Sequence, residues 1–512
     1  MRSETEVIHL QKTMSTLSVA LTISLLWSPA TASWNPSPRP DFWSTPAKTT
    51  VKNDELIVRL EEVIPRLMKE GYVPGLSIAV IRNGKLAWNY GFGVKNAETK
   101  EPVTEDTVFE AASLSKPVFA YAVLKLVDSG QLDLDTPLVK YLNRPYIEND
   151  DRVNLITARR VLTHTTGFPN WRPRGGDLKI FFNPGERFSY SGEGFVYLQK
   201  VVEHVTGQPL NDCITKLVFG PLGMSSSSYV WQERYGSLKA TGHDAAGDPT
   251  EKRKPAEANA AASLQTTAGD YARFMIAIMN GAGLKETTIK EMLRPQIKVD
   301  EGCENCVATP PTGKLSPIIS WGLGVGLQQM GEGLSFWHWG DNGDVHCFML
   351  GYPKPKLGIA VFTNSGNGLG IIPEIVSAAI SGKQPAIAWI GYEPYNSPGR
   401  KLFHDILARG PIAFSEYREQ KRSKAPLFVL TEVQVNRLGY ELLGKKRVKE
   451  AIAVFKMNTE DFPNSSNTYD SLGEAYMVAG EKELAIKNYE KSIALDPNNT
   501  NGIELLKKLR AQ

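Results

Sequence analysis

Ser113 and Lys116 stand three residues apart at the mouth of an apolar run over residues 117–127, in the segment Phe109-Glu-Ala-Ala-Ser113-Leu-Ser-Lys116-Pro. An alcohol is a poor nucleophile until a neighbour takes its proton, and an amine one helical turn away is placed to do so. Read plainly, the same pair is a helix cap followed by a solvated lysine, and Ser-x-x-Lys is too common to decide alone. Two later stretches add groups of suitable type. Tyr190 lies in Phe188-Ser-Tyr190-Ser-Gly192-Glu-Gly194 just before a helical run. A phenol beside an ammonium ionises more readily, which suits general-base work. His338 lies in Trp337-His338-Trp339-Gly340-Asp341, at the end of a strand-like run. A glycine there lets substrate approach the backbone, a free N–H can complete an oxyanion hole, and His338 could donate to a substrate carboxylate or carbonyl. Taken singly, Tyr190 reads as packing and His338 as a solvated strand residue.

These groups need elements to hold them. Pro117 fits a first helical turn, and Asp128-Ser-Gly130 ends the run. A helix apolar all round belongs inside a large core, which places Ser113 at its positive, N–H-rich end. Upstream, a helix is expected over 54–70, and strands over 76–82 and 85–90 flank Asn83-Gly84, a hairpin signal. Short helices are expected up to Leu142 and over 155–162, the latter running into Thr163-His164-Thr-Thr-Gly167. Further helices are expected over 194–205 and from a Thr266 or Thr267 cap to Met279. Strand-like runs follow at 319–330, 334–339, 345–350 and 357–363, then a helix at 371–381. Strands at both ends with helices between predict an α+β domain: one antiparallel sheet, the early hairpin joining the late strands, with helices on both faces.

The 512 residues are 42% hydrophobic and 22% charged, with a formal net charge of +3. That is a folded globular chain without the electrostatic footprint of a nucleic-acid or anionic-membrane binder. Seven histidines without a His-Glu-x-x-His run predict no metal and no cofactor. Arg2 and Lys12 precede an apolar run over 17–27, and Ala30-Thr-Ala32 precedes Ser33, so residues 1–32 read as a signal peptide. The run is too short to span a bilayer. The expectation is an exported chain, periplasmic or extracellular, with no transmembrane anchor after cleavage. Residues 33–53 are a Pro/Ser/Thr-rich leader. Cys213, Cys303, Cys306 and Cys347 make no disulfide framework, although Cys303-Glu-Asn-Cys306 suits a small local bridge.

Past a first domain over 54–385 the texture changes. Residues 386–430 read as a Pro-containing linker with a degenerate helical hairpin. Over 431–512 a period of 34 relates Gly439 to Gly473, Ala451 to Ala485, Phe455 to Tyr489 and Pro463 to Pro497. This resembles tetratricopeptide repeats. Such a module is either a brace on the preceding domain or a groove for a protein or peptide partner.

Ser113-Leu-Ser-Lys116, Tyr190-Ser-Gly192 and His338-Trp-Gly340, in that order, resemble the serine beta-lactamase and penicillin-binding-protein superfamily, in its class C-like branch that also holds esterases and D-amino-acid peptidases. Leu162–Gly167, Pro221-Leu-Gly-Met224 and the stretch from Leu264 to Phe274 look like further segments of that family. The resemblance implies a beta-lactamase/transpeptidase-like sheet flanked by helices, with a helical subdomain. It implies acyl transfer through a serine ester at Ser113, with Lys116 and Tyr190 sharing the proton work and the choice of base left open. It also implies an oxyanion held by the N–H groups of Ser113 and Asp341, with His338, Gly340 and Gly192 on the substrate side. Gly192 departs from the pattern, since an asparagine often stands there whose amide contacts beta-lactams and peptides. His338 departs too, where lysine is usual. Both favour an esterase or peptidase over a broad beta-lactamase. The reading is an exported serine hydrolase acting on an ester, amide or beta-lactam, small molecule or peptide. Its rivals are a D-amino-acid peptidase or penicillin-binding protein acting on cell-wall peptides, and a repeat adaptor on a scaffold hydrolase domain.

Overall fold

The computed structural model describes residues 53–142, 145–173, 175–301, 304–305, 307, 312–331, 333–423 and 429–511. The expected signal peptide, nearly all of the leader and the Cys303–Cys306 bridge lie outside these residues.

Helix α1 (Asn53–Glu70) buries Leu56, Leu60, Ile64 and Leu67, a stripe at helical spacing. Strands β1 (Gly75–Arg82) and β2 (Lys85–Gly93) meet at Asn83-Gly84, both with left-handed φ, as a tight hairpin turn requires. The two-residue strand β3 (Phe109–Glu110) leads into α2 (Ser115–Asp128). Helix α3 (Ala158–Leu162) is shorter than the 155–162 expected. Ile156 is extended, and Thr157 caps the helix by accepting from Arg160 N–H, so the preceding turn cannot continue into it. Helix α4 (Gly192–Thr206) is capped by Ser191. The two-residue strand β4 (Gln265–Thr266) pairs with β3 and leads to α5 (Ala268–Asn280), capped by Thr267.

The late strands are β5 (Ile297–Asp300), β6 (Leu315–Trp321), β7 (Gly326–Met330), β8 (Gly333–Asp341), β9 (His346–Tyr352) and β10 (Leu357–Thr363). The run over 319–330 is two strands, not one. Gly322 N–H donates to Val325 O in a turn, and Gly324 is left-handed at φ 83 where a side chain would strike Ala120 of α2. Periodicity also missed β5, too short to show a pattern. All strand pairs are antiparallel, and the sheet order is β2-β1-β10-β9-β8-β7-β6-β5, so the early hairpin closes against the last strand as predicted.

Helix α6 (Gly368–Ala379) joins α1 on one face of the sheet, packing Ile64, Ile78, Val361 and Ile375 together. On the other face α2 and α5 with the helical subdomain bury Phe119, Leu124, Phe274 and Phe362. After α7 (Pro385–Ile390), the expected hairpin is α8 (Pro398–Arg409) and α9 (Pro411–Arg422). The repeats are α10 (Glu432–Gly444), α11 (Val448–Asp461), α12 (Ser466–Val478) and α13 (Lys482–Leu495), with α14 (Thr500–Ala511) beyond the predicted period. Gly439 lies on the Phe455 ring and Gly473 on Tyr489, so the 34-residue period marks helix crossings. The module is tied to what precedes it: Lys445 pairs with Asp244 and Asp248 of the first domain, and Glu441 with Arg400 of α8. No helix among the described residues is long and apolar enough to cross a membrane.

Candidate active site

Ser113 sits in a 3-10 turn (Ala112–Leu114) that feeds α2, directly after Ala112, a non-glycine residue at φ +46. That conformation costs of order 1–3 kcal/mol and persists only where the surroundings hold it. Here they do. Ala111 N–H donates to Leu264 O at 2.8 Å, Ser115 Oγ accepts from Leu264 N–H at 3.0 Å, and two buried phenols, Tyr271 and Tyr229, donate to the carbonyls of Leu114 and Ser115 at 2.9 and 2.6 Å. The turn is bolted to the subdomain while Ser113 itself stays partly exposed.

Lys116 is fully buried, its Nζ 2.9 Å from Ser113 Oγ and 2.9 Å from Ala261 O. Burial pushes the ammonium down to about 7, only partly countered by Glu304. As a free amine it keeps an N–H for Ala261 O and turns its lone pair to the Ser113 hydroxyl.

Tyr190 lies with its ring 4.7 Å from Lys116 Nζ. It is bracketed by His164, which lies in the Leu162–Gly167 segment. The His164 ring stacks on Tyr190 at 4.3 Å, its Nδ1 accepts Ser191 N–H at 3.0 Å and its carbonyl accepts Ser189 N–H at 2.8 Å. His164 too is left-handed, at φ 54. The expected easing of Tyr190 ionisation is not found. Burial raises the phenol well above its ordinary value, despite the Ser113 hydroxyl beside it. Tyr190 therefore stays a protonated phenol, and the buried amine is the stronger candidate base.

His338 also departs from expectation. Its Nδ1 donates to Trp339 O at 2.7 Å, which leaves Nε2 as a buried lone pair without a partner among the described residues. Burial and then Lys116 push the imidazole down to about 3. A neutral ring with only an acceptor free cannot donate to a substrate carboxylate, and it is not solvated either.

Gly340 passes flush against the nucleophile's turn, where an added Cβ would lie 2.5 Å from Ala111 O and 3.1 Å from Ala112 Cβ. Asn342 N–H donates to Val345 O across the β8–β9 turn, so by antiparallel alternation the N–H of Asp341 faces away from β9. It faces the edge that β7 leaves open, because β7 pairing begins only at Trp337. Gly192 is equally constrained. A Cβ there would lie 2.7 Å from the Trp171 ring, and its N–H donates to Asn170 at 3.0 Å. The half-exposed Trp171 indole thus fills the space an amide-reading side chain would occupy. Glu304 was also missed. Its carbonyl accepts Tyr190 N–H at 3.0 Å, and burial, then Asp341, push its carboxyl up to about 8 against the pull of Lys116. The only local signal was its place inside Cys-x-x-Cys.

A buried lysine on a serine at a strained turn, with a tyrosine beside both and a strand edge passing close to them, is an arrangement whose chemistry suits a serine nucleophile. A Beta-lactamase family model matches residues 60–371, and the chain belongs to that family; a tetratricopeptide repeat model matches residues 466–499. It is 33% identical over 208 residues to Esterase EstB of Burkholderia gladioli, a match covering 35% of this chain and 53% of that protein. It is 27% identical over 328 residues to Protein flp of Staphylococcus aureus strain MW2, covering 60% and 62%. The chain therefore spans between half and two thirds of these relatives' lengths. Among solved structures, the octameric penicillin-binding protein homologue from Pyrococcus abyssi superposes with a TM-score of 0.53 at 25% identity, over 69% of this chain and 82% of that one. A class C beta-lactamase superposes with a TM-score of 0.55 at 20% identity, over 66% and 99%, which speaks to the fold.

Proposed function

We propose that this chain hydrolyses a carboxylic ester through a covalent acyl-enzyme on Ser113. The observation that carries the reading is the Ser113–Lys116 pair at 2.9 Å, with the amine fully buried and its proton loosely held. Lys116 takes the Ser113 proton as Oγ adds to the carbonyl carbon. The carbonyl electrons move onto oxygen between the N–H groups of Ser113 and Asp341. Collapse of that intermediate expels the alkoxide, which receives its proton through Tyr190 and Lys116. Water then attacks the acyl ester as the same amine takes its proton; collapse of the second tetrahedral intermediate breaks the bond to Ser113 Oγ, which takes that proton back from Lys116 as the acid leaves.

Two features favour ester over lactam. Trp171 fills the space beside Gly192, and His338 offers only an acceptor, so it cannot donate to a carboxylate carried by the substrate. The likeness to an esterase agrees. Glu304 favours a second reading, because its carboxyl, once ionised above the value of about 8 to which burial raises it, would attract a substrate ammonium and so suit a D-amino-acid peptidase. The test is turnover by the full chain of a p-nitrophenyl short-chain ester, a chromogenic cephalosporin and a D-alanyl p-nitroanilide, with Ser113→Ala as blank. Serine-dependent ester cleavage with negligible cephalosporin turnover is expected. Fast cephalosporin turnover would overturn the ester reading, and preference for the anilide would select the peptidase.

A further inference from the structure

Asp341 carries two functions on one residue. Its peptide N–H faces the open sheet edge beside Ser113, and its carboxylate is held by three donors, two from the adjoining turn and β9 and the third, Tyr392, from far along the chain. Gly343 N–H donates at 2.7 Å, His346 Nε2 at 3.1 Å and the Tyr392 hydroxyl at 2.5 Å. His346 is itself oriented. Its Nδ1 accepts Leu369 N–H at 3.2 Å, which leaves the proton on Nε2 facing Asp341, and its carbonyl accepts from Thr363 Oγ1 at 2.8 Å. The Tyr392 ring stands edge-on to His346 at 5.4 Å. Burial works against the Asp341 charge, yet His346, then Tyr392 and Gly343 N–H, hold its carboxyl well below the usual range.

Tyr392 belongs to the connection between α7 and α8, past residue 371, where the family match ends. That connection is itself tied down. Ser397 Oγ donates to Glu393 Oε1 at 2.5 Å, and Arg400 bridges Glu393 to Glu441 of the first repeat.

An oxyanion donor works only if held near 2.7–3.1 Å from the developing charge. Beyond Trp337 strand β8 is paired with β9 and has no β7 partner among the described residues, so the sheet holds the Asp341 peptide from one side and leaves its N–H side open. We propose that Tyr392 and His346 are positioning residues for the oxyanion hole, clamping the Asp341 carboxylate so that its peptide N–H stays aimed at Ser113. The connection leading to the repeats is then part of the hydrolase site. This rests on the reading of Ser113 as nucleophile.

The test uses the full chain and the rate of Ser113 phosphonylation by a fluorophosphonate, whose phosphoryl oxygen takes the oxyanion position whatever the natural substrate is. Tyr392→Phe is expected to lower the maximal labelling rate about tenfold, with the inhibitor's half-saturating concentration and the melting temperature unchanged. His346→Leu should behave alike, and His346→Gln, whose amide N–H can reach Asp341, should restore most of the rate. Wild-type labelling by Tyr392→Phe would overturn the proposal. If Tyr392→Phe also lowers the melting temperature, the histidine pair decides: rescue by glutamine supports the clamp, and glutamine as slow as leucine overturns it. Labelling that persists in Ser113→Ala would instead overturn the nucleophile assignment beneath it.

Discussion

A lysine sealed behind a serine gives up the hydration of its ammonium, and one carbonyl with one hydroxyl cannot replace it, so Lys116 titrates near neutrality. Below pH about 7 it holds its proton and cannot accept another from Ser113; above that pH the free amine can. The expected profile of kcat/KM therefore rises with pH to a plateau, half-maximal at about 7. Histidine does not supply that limb, because burial keeps His338 and His164 neutral throughout the range. Tyr190→Phe should lower the rate by about tenfold or more without moving the limb, since the phenol stays protonated. A flat profile between pH 6 and 8, or a limb abolished by Tyr190→Phe, would place the base elsewhere. At this scale Ser113, Lys116 and Tyr190 were legible because type and spacing are local. Glu304 was not, and His164 was legible only as part of the Leu162–Gly167 segment, because their partners lie far along the chain.

At the scale of elements, the site depends on how closely β8 passes the turn before α2. Gly340 is required by that approach, since a methyl would meet Ala111 O, Ala112 Cβ and Cys347 Sγ. Gly340→Ala is expected to push the strand off the turn, lowering serine-dependent ester turnover about a hundredfold and stability by about 1–3 kcal/mol. Turnover against a thermal melt checks this, and wild-type activity would show that β8 does not bear on Ser113. Element by element, residues 357–363 form the strand expected, and Asn83-Gly84 makes the turn its chemistry demands. The split of 319–330 was hidden because Trp321-Gly-Leu-Gly-Val325 is apolar, and apolar runs do not announce a turn that is buried against another helix.

Across the whole molecule, every described group touching Ser113 precedes the repeats. The module meets the first domain through Lys445 on Asp244 and Asp248 and through Ala245 and Ala246 against its core, and meets α8 through Glu441 on Arg400. Deleting residues from 430 onward is expected to leave ester turnover within about twofold of the full chain while the melting temperature falls, because Arg400 keeps Glu393 and the Tyr392 clamp survives. Turnover and a melt on the truncated chain check this; collapse of activity would make the repeats a brace the site cannot lose. The contacts seen are those of a docked module, and a concave peptide groove is not needed to explain them.

Local chemistry determined the motif order, the hairpin, the helix caps and the 34-residue repeat, because each depends on residues within one or two turns of each other. It also determined the family, since three short motifs in one order leave few alternatives. Tertiary structure alone decided the charge states and the donors. Enclosure made Lys116 weakly basic and kept Tyr190 protonated, and the bond to Trp339 O turned His338 from an expected donor into an acceptor. It likewise set Trp171 in the space beside Gly192 and brought Tyr392 onto Asp341 across 50 residues of chain. Burial and distant contacts shift protonation and aim hydrogen bonds, and neither quantity is written in local sequence.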